Sequence, residues 1–272
     1  MYSWRRLASK RWWIENEEAL RRIAKNRLTV IERSNRELLL LEVAFESKSK
    51  IKRLRKKFGG QNKKLPRDWQ FLTAKTSKPL RIGKRLIVRQ STSGRKANSF
   101  PGSLIIPAGA AFGTGGHATT AMSLRLLEEV TRGWKADWKM ADLGTGSGIL
   151  ALAASRFGAK KVIGIDLDPM AISTAKANAH LNRIDQVQFL VADVRGWKLP
   201  AKTDIAAANL FSELLIEVLP KLRRSRFLIL SGILRNQEMS VGRALRRNKI
   251  KIAQLRRRGK WSAILARSAG SG

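Results

Sequence analysis

A glycine-rich turn between an apolar strand and an apolar helix constrains the fold of this chain more than any other feature. The strand begins near Met140 and runs into the Gly-Thr-Gly-Ser-Gly sequence at 144–148, and the residues from there to Ala154 are apolar enough for a buried helix. Gly144 allows a tight turn, and Gly146 has no Cβ, so a ligand can approach the backbone. The first amides of the helix would face that ligand. This pattern predicts the strand, turn and helix of a Rossmann-like nucleotide site.

A second apolar strand follows over Val162–Asp166 and ends in an acid. Asp166 stands 22 positions after Gly144, where a carboxylate can accept hydrogen bonds from ribose hydroxyls. The alternative is a glycine turn that only connects a strand to a helix. The position of the acid favours the nucleotide site.

A turn of this kind fits NAD, FAD or S-adenosylmethionine, and the surrounding charges help to choose among them. Acids lie at the predicted strand ends, namely Asp142, Asp166, Asp168 and Asp193. A dinucleotide brings a pyrophosphate, whereas S-adenosylmethionine brings a sulfonium and an ammonium, and an acidic rim suits the cationic ligand. The spacing is also Gly-x-Gly-x-Gly rather than Gly-x-Gly-x-x-Gly. The sequence therefore favours S-adenosylmethionine.

The charge of the chain is very uneven along its length. The 272 residues carry a formal net charge of +35, with 28 Lys or Arg against 8 Asp or Glu over 1–110, 12 against 11 over 111–219, and 15 against 1 over 220–272. The segment with the glycine turn is close to neutral, and its flanks are strongly basic. Such flanks predict contact with an anionic partner such as ribosomal RNA. A merely solvated basic surface is the alternative.

Several classes of protein are disfavoured by what the sequence lacks. There is no cysteine, so disulfides, thiolate metal sites and cysteine nucleophiles are excluded. No apolar run approaches a membrane span of about 20 residues, and we expect no metal site and no membrane partner. The acid-free start, Tyr2–Trp13, is either an organellar transit peptide or the first element of the fold. We expect a cytoplasmic protein, with an organellar matrix as the alternative.

The alternation of elements predicts two α/β domains. A helix over Trp12–Asn26, strands over Leu28–Ile31 and Glu37–Phe45, and a basic helix over Lys48–Phe58 suggest a small ferredoxin-like unit whose first strand is weak or missing. From Pro107 onward, strands and helices alternate as in a doubly wound sheet. The predicted organisation is a small basic α/β domain at 1–58, a linker at 59–78, and a doubly wound Rossmann-like domain that carries the cofactor site at 79–272.

Two further motifs flank the glycine turn. Residues 107–116 are glycine-rich and precede His117, Thr119 and Thr120, which lead into a helix. This segment is either a loop that closes over a ligand or an ordinary helix-capping loop. Later, an apolar strand ends at Asn209, at the sheet edge where ligands of such folds bind. Asn209 could also be a plain turn former, and Leu210-Phe211 lacks the two prolines with which base-amine methylases commonly continue, which disfavours a nucleobase substrate.

In this order, the motifs resemble the PrmA family, whose members methylate a protein at the stalk base of the large ribosomal subunit. The matching segments are Phe112–Thr120, Asp142–Ala151, Gly164–Pro169, Ala208–Leu210 and Ser231–Leu234. The resemblance covers roughly residues 66–267. It implies that Thr120, Gly144, Asp166 and Asn209 contact S-adenosylmethionine, and that a small N-terminal ferredoxin-like domain presents the substrate. Members of the family are usually acidic or near neutral, unlike this chain.

The expected reaction is methyl transfer to an amine. The sulfonium methyl is already activated, so the reaction needs a positioned, neutral amine more than a strong base. Deprotonating a lysine at neutral pH costs about 4–5 kcal/mol, and an α-amine only about 1 kcal/mol. His117 either relays the departing proton or has a hydrogen-bonding role in its loop, and Asn209 would orient the nucleophile or the cofactor. The alternatives are an RNA methyltransferase and a ribosome-associated assembly protein without turnover.

Overall fold

The protein is described here by a computed structural model that divides into two compact units, Met1–Thr73 and Ala74–Gly272. The described residues are 2–24, 28–32, 38–45, 47–64, 79–90, 102–107 and 116–268. No helix among them is long and apolar enough to span a membrane.

The first unit is an antiparallel sheet with two helices. Its elements are β1 (Tyr2–Ser9), α1 (Lys10–Ala24), β2 (Leu28–Glu32), β3 (Leu38–Phe45), α2 (Lys48–Phe58) and β4 (Gln61–Lys64). The strand order is β2-β3-β1-β4, which is that of a ferredoxin-like unit. Alternate residues of β3, including Leu41 and Val43, are buried together with Leu20 of α1 and Leu54 of α2. The two helices therefore share one core with one face of the sheet.

The expectation that the first strand is weak or missing is wrong. β1 pairs with β3 over its whole length, from Tyr2 opposite Phe45 to Ser9 opposite Leu38. The strand was hidden because Arg6 lies between the buried residues Trp4 and Ala8 on the same, inward face of the strand. The Arg6 guanidinium lies 4.1 Å from the centroid of the Trp12 ring and donates a hydrogen bond to the carbonyl oxygen of Phe58. An inward arginine is thus accommodated by an aromatic face and a carbonyl.

The predicted linker also begins too early. Residues Gln61–Lys64 form β4, which pairs with β1 from Tyr2 opposite Lys64 to Arg5 opposite Gln61. This polar segment resembles a linker when it is considered alone, because its pairing partner lies about sixty residues earlier in the chain. The first unit therefore extends beyond residue 58.

The second unit contains a large mixed sheet with helices on both faces. A small sheet comes first, made of β5 (Leu80–Ile82), β6 (Leu86–Arg89) and β7 (Ser103–Ile105). The large sheet follows with α3 (Ala118–Val130), β8 (Trp138–Leu143), α4 (Ile149–Arg156), β9 (Ala159–Asp166), α5 (Pro169–Leu181), β10 (Val187–Val191), β11 (Ile205–Asn209), α6 (Ser212–Leu222), β12 (Phe227–Leu234), α7 (Glu238–Arg247), β13 (Ile250–Arg258) and β14 (Trp261–Ser268). This α/β architecture confirms the predicted fold class.

The strand order of the large sheet is β10-β9-β8-β11-β12-β14-β13. The first five strands are parallel, and β14 is antiparallel to both of its neighbours. In the central strand β11, residues Ile205–Ala208 are all apolar and buried because helices cover both faces of the sheet. We call the end of the sheet where β8 to β12 finish the carboxyl edge, and the opposite end the amino edge. The order reverses between β8 and β11, which places a crevice there at the carboxyl edge.

Candidate active site

The predicted site residues converge on the carboxyl edge. Register pairs Ala208 with Leu143 and Asn209 with Ser231, so the ends of β8, β11 and β12 lie side by side. Asp166 ends β9, the strand on the other side of β8. Residues distant in the sequence therefore meet around the crevice at which the strand order reverses.

The glycine turn has the backbone geometry that its sequence predicts. Gly144, Gly146 and Gly148 all have positive φ angles, of 70°, 55° and 80°. Residues other than glycine rarely adopt this backbone conformation. The amides of Gly144 and Thr145 both donate to the carbonyl oxygen of Ile165 at 2.9 Å. The turn is thereby held against the end of β9, and α4 begins directly after it.

Asp166 lies at the rim of the crevice and is held by backbone amides. One carboxylate oxygen accepts a hydrogen bond from the amide of Gly146 at 2.9 Å, and the other accepts one from the amide of Asp168 at 3.0 Å. Each oxygen retains acceptor capacity for a further donor. The carboxylate is therefore fixed in direction while remaining able to accept from a pair of hydroxyl groups.

Two exposed apolar side chains flank Asp166, and the sequence analysis missed both. Leu167 follows it directly and is 65% exposed, and Val191, which pairs with Asp166 in the sheet, is 54% exposed. Large apolar side chains that are exposed at the carboxyl edge can bind a flat apolar group of a ligand. The signal in the sequence was the apolar residue directly after the strand-end acid.

Asp142 is not on the rim, in contrast to the acidic rim that the sequence predicts. Its side chain is 1% exposed and lies beneath the turn, where it accepts a hydrogen bond from the Thr145 hydroxyl at 2.6 Å. Burial raises the pKa of Asp142 to about 6, and the hydrogen bond from Thr145 only partly opposes that rise. Asp142 therefore acts on the turn rather than on a ligand directly.

His117 caps the helix that follows the predicted loop. Its Nδ1 accepts a hydrogen bond from the amide of Thr119 at 3.4 Å and lies 2.7 Å from the Thr119 hydroxyl. The ring packs edge-on against Trp261, with centroids 5.3 Å apart. Burial, with a smaller effect from Lys260, lowers the pKa of His117. A neutral ring with Nδ1 as acceptor fits the capping geometry. Residues 108–115 of the predicted loop lie outside the described residues.

The start of α3 is joined to the ends of β11 and β12. The Ser231 hydroxyl donates to the carbonyl oxygen of Thr119 at 3.4 Å, and Ser231 pairs with Asn209 in the sheet. Thr120 follows, and its hydroxyl is buried with no hydrogen-bond partner among the described residues. The side-chain amide of Asn209 also has no partner in the described part of the chain. A buried hydroxyl without a partner and a half-buried amide at a strand end are both available to a ligand at this site.

An exposed aromatic side chain continues the edge beyond Asn209. Phe211 is 76% exposed at the start of α6, and Met239 at the start of α7 is 75% exposed. The two helix starts are joined because Gln237 accepts a hydrogen bond from the Ser212 hydroxyl at 2.9 Å and donates one to Glu213 at 3.1 Å. Phe211 and Met239 therefore provide exposed apolar surface beside the crevice.

The comparisons with known proteins agree with this architecture. The family model described as ribosomal protein L11 methyltransferase (PrmA) matches residues 9–269. A ribosomal protein L11 methyltransferase from Pelobacter propionicus is 37% identical over 74% of this chain and 67% of its own length, and one from Clostridium perfringens is 33% identical over 74% of this chain and 64% of its own length. This chain thus spans about two thirds of the length of these relatives.

A solved structure is also similar. The ribosomal protein L11 methylase from Lactobacillus delbrueckii subsp. bulgaricus aligns with a TM-score of 0.60 at 27% identity, covering 70% of this chain and 98% of the other. The alignment supports a class I methyltransferase fold for the second unit. These matches confirm the resemblance found in the sequence motifs. The chain belongs to the ribosomal protein L11 methyltransferase (PrmA) family.

Proposed function

We propose that this protein is an S-adenosylmethionine-dependent methyltransferase that transfers methyl groups to amines of ribosomal protein L11. The observation that carries the proposal is the family match over residues 9–269, on a chain whose carboxyl edge keeps the glycine turn, Asp166 and Asn209 together. The proposed compartment is the cytoplasm, because the proposed substrate is a ribosomal protein. The first unit is proposed to present that substrate.

The residues at the carboxyl edge fit the cofactor. Asp166 would hold the ribose hydroxyls, Gly144 and Gly146 would allow close approach to the backbone, and Leu167 with Val191 would lie against the adenine. The buried Thr120 hydroxyl and the Asn209 amide, which have no partner among the described residues, would take up the polar groups at the other end of the cofactor. When bound, S-adenosylmethionine supplies an electrophilic methyl group on a sulfonium.

The charge of this edge suits a basic acceptor. After β9, β10 and β11 the edge carries Asp166, Asp168, Asp193 and Glu213. The neighbouring cation Arg195 is shared between Asp193 at 3.8 Å and Glu217 at 3.1 Å, and the Lys221 ammonium donates to the carbonyl oxygens of Val194 and Arg195. An acidic edge attracts a protonated amine from solution. The amine must then lose its proton, at a cost of about 4–5 kcal/mol for a lysine and about 1 kcal/mol for an α-amine near neutral pH. Amino termini are therefore the easier acceptors, because a smaller free-energy cost is needed to deprotonate them than to deprotonate lysines.

Asn209 and His117 have different roles in this proposal. The Asn209 amide can orient the amine by accepting from its N–H and leaving its lone pair directed at the crevice. The Nδ1 atom of His117 is occupied by Thr119, so His117 positions α3, with Thr120, against the strand ends. His117 is thus a positioning residue rather than a proton relay.

Transfer of a labelled methyl group identifies the acceptor. The protein would be incubated with methyl-labelled S-adenosylmethionine and either purified ribosomal protein L11 or protein-free ribosomal RNA, with Asp166→Ala, at a cofactor concentration below its weakened affinity, as the control. We expect label in the protein and none in the RNA. Label in RNA alone would support an RNA methyltransferase instead. Cofactor binding without transfer to either acceptor would support an assembly protein without turnover.

A further inference from the structure

The second unit has a surface of exposed cations at the amino edge, opposite the candidate active site. We name it the amino-edge surface, and its members are Arg223, Arg224, Arg226, Arg246, Arg247, Lys249, Lys251 and Arg267. The segments that form it, 223–227, 246–251 and 266–268, contain no Asp or Glu. Charge that the sequence shows only as a basic C-terminal stretch is therefore gathered at one end of the sheet.

Strand register places these segments together. Phe227, which begins β12, pairs with Arg267, and Arg267 pairs with Lys251 on the other side of β14. The amide of Ser268 donates to the carbonyl oxygen of Arg226 at 3.2 Å. α7 ends at Arg247, three residues before β13 begins, so its last turn lies beside the same edge. Three segments of the chain thus contribute to one surface.

The cations of this surface differ from the other arginines of the C-terminal stretch. Arg256 is bound to Glu129, and Arg257 is bound to Glu238 at 2.6 Å. No member of the amino-edge surface makes an ion pair with a carboxylate within the described residues. Arg256 and Arg257 stabilise the protein internally, whereas the amino-edge surface carries charge that the described chain does not neutralise.

Aromatic rings underlie part of the surface. The guanidinium of Arg226 lies 5.5 Å from the centroid of the Trp134 ring and 5.3 Å from that of Phe227, and the guanidinium of Arg267 lies 5.9 Å from that of Phe227. Packing on a ring limits the motion of a guanidinium and leaves its N–H groups directed outward. Six of the eight cations are arginines, which bind phosphate oxygens through two parallel hydrogen bonds.

We propose that the amino-edge surface binds the phosphate backbone of RNA. Arginines outnumber lysines, two of them are stacked on rings, and the three segments that form the surface carry no acid, which together favour phosphodiesters over a carboxylate-rich protein. The choice of RNA over DNA rests on the proposed ribosomal substrate. The two ends of the sheet then serve partners of opposite charge, with the amine at the carboxyl edge and the RNA at the amino edge.

A salt series with a labelled RNA duplex of 20 base pairs tests the proposal by fluorescence anisotropy. The variant combines Arg224→Gln, Arg246→Gln and Arg247→Gln in the full chain. The control combines Lys176→Gln, Lys198→Gln and Arg258→Gln, three exposed cations outside the amino-edge surface, so both proteins lose the same charge. Each lost phosphate contact lowers the slope of log K against log salt by about 0.7–0.9.

We expect the variant to lose at least tenfold in RNA affinity at 150 mM salt and about 2 in slope, and the control to change less than threefold. S-adenosylmethionine affinity, measured on both, should stay unchanged and reports folding. Equal losses in variant and control would overturn the proposal. So would tighter binding to a DNA duplex of the same length, or binding to phosphatidylserine vesicles without binding to RNA. None of these readouts depends on methyl transfer, so the proposed function is tested separately.

Discussion

The Cδ2 atom of Leu210 lies 2.4 Å from the point where a Cβ atom on Gly144 would stand. The carbonyl oxygen of the same leucine lies 2.3 Å from the corresponding point on Gly232. The segment after β11 thus fits between two glycines, Gly144 in the turn directly after β8 and Gly232 in β12. This fit fixes the backbone directly after Asn209, so the position of a candidate site residue depends on two residues that cannot themselves contact a substrate through a side chain.

A double-mutant cycle can measure this fit. Gly144→Ala should destabilise the protein by about 2–4 kcal/mol, because the new methyl group meets Leu210 and φ is +70°. In a Leu210→Ala background the steric cost disappears and only the backbone cost, about 1 kcal/mol, remains. Urea unfolding of the four proteins gives the coupling. Strictly additive effects would show that Leu210 does not restrict residue 144.

Asp166→Ala should weaken S-adenosylmethionine binding by about 1.5–3 kcal/mol, or roughly 10- to 150-fold, because charged hydrogen bonds to the ribose are lost. Isothermal titration calorimetry measures the change. Asp168→Asn is the matched control, since it removes a negative charge from the same edge while an asparagine can still cap α5 through the amide of Met170. If both substitutions weaken binding equally, Asp166 has no specific role.

Asp142→Asn should change how stability depends on pH. The pKa of Asp142 is raised to about 6 in the folded protein, so the protonated side chain is favoured by folding. Its contribution to stability is fully present below the unfolded pKa of about 4 and is lost as pH rises through about 6, by about 3 kcal/mol in total. The variant has no ionisable group at position 142, so its stability should not fall in this way. Relative to the parent, it should become more stable between pH 4 and pH 7.5. Urea unfolding at the two pH values gives the difference, and parallel changes in both proteins would contradict a raised pKa.

His117→Asn and His117→Ala separate capping from proton relay. Asparagine can accept the hydrogen bond of the Thr119 amide, whereas alanine cannot and should cost about 0.5–2 kcal/mol of stability. If His117 positions α3, the asparagine variant should keep kcat within about threefold, and the alanine variant should lose more. Steady-state kinetics with L11 and thermal unfolding provide the measurements. An equal, large loss of kcat in both variants would instead indicate proton transfer through the ring.

Phe211→Ala should raise the KM for the protein substrate about tenfold and leave the affinity for S-adenosylmethionine unchanged. An aromatic side chain that is 76% exposed beside the acceptor crevice would lose its exposed area to a bound protein, a change worth about 1–3 kcal/mol at a central contact. Ile252→Ala on β13 is the control, because Ile252 is also apolar and exposed but does not border the crevice. A KM that stays constant in Phe211→Ala would exclude this contact.

The parts of the fold that short-range patterns determine could be predicted from the sequence. The turn at 144–148 and the acid at Asp166 lie within one βαβ unit, so their spacing predicts where both lie. Helix α2 was predicted with its exact bounds, since its apolar residues repeat at helical spacing. The resemblance of the motifs to PrmA also identified the family. The proposed roles of the site residues stay predictions.

Long-range pairing explains what the sequence did not reveal. β4 is polar and becomes a strand only because β1 offers it an edge, and Arg6 becomes an inward residue only because Trp12 and the Phe58 carbonyl receive it. The burial of Asp142 likewise depends on how the turn folds over it. The acidic rim was predicted from the acids at the strand ends, and of these only Asp142 is buried instead of lying at the carboxyl edge.

β14 is the last described strand along the chain, yet it lies in the interior of the sheet between β12 and β13. A ribosome delivers the chain from its amino end, so β12 keeps an open edge until Trp261–Ser268 has left the exit tunnel. Until then β13 has no neighbour to pair with, and His117 lacks the Trp261 ring. Open edges pair readily with other chains. While Trp261–Ser268 is missing, the chain is consequently most prone to aggregation, and products truncated before residue 261 should be preferred substrates for proteases.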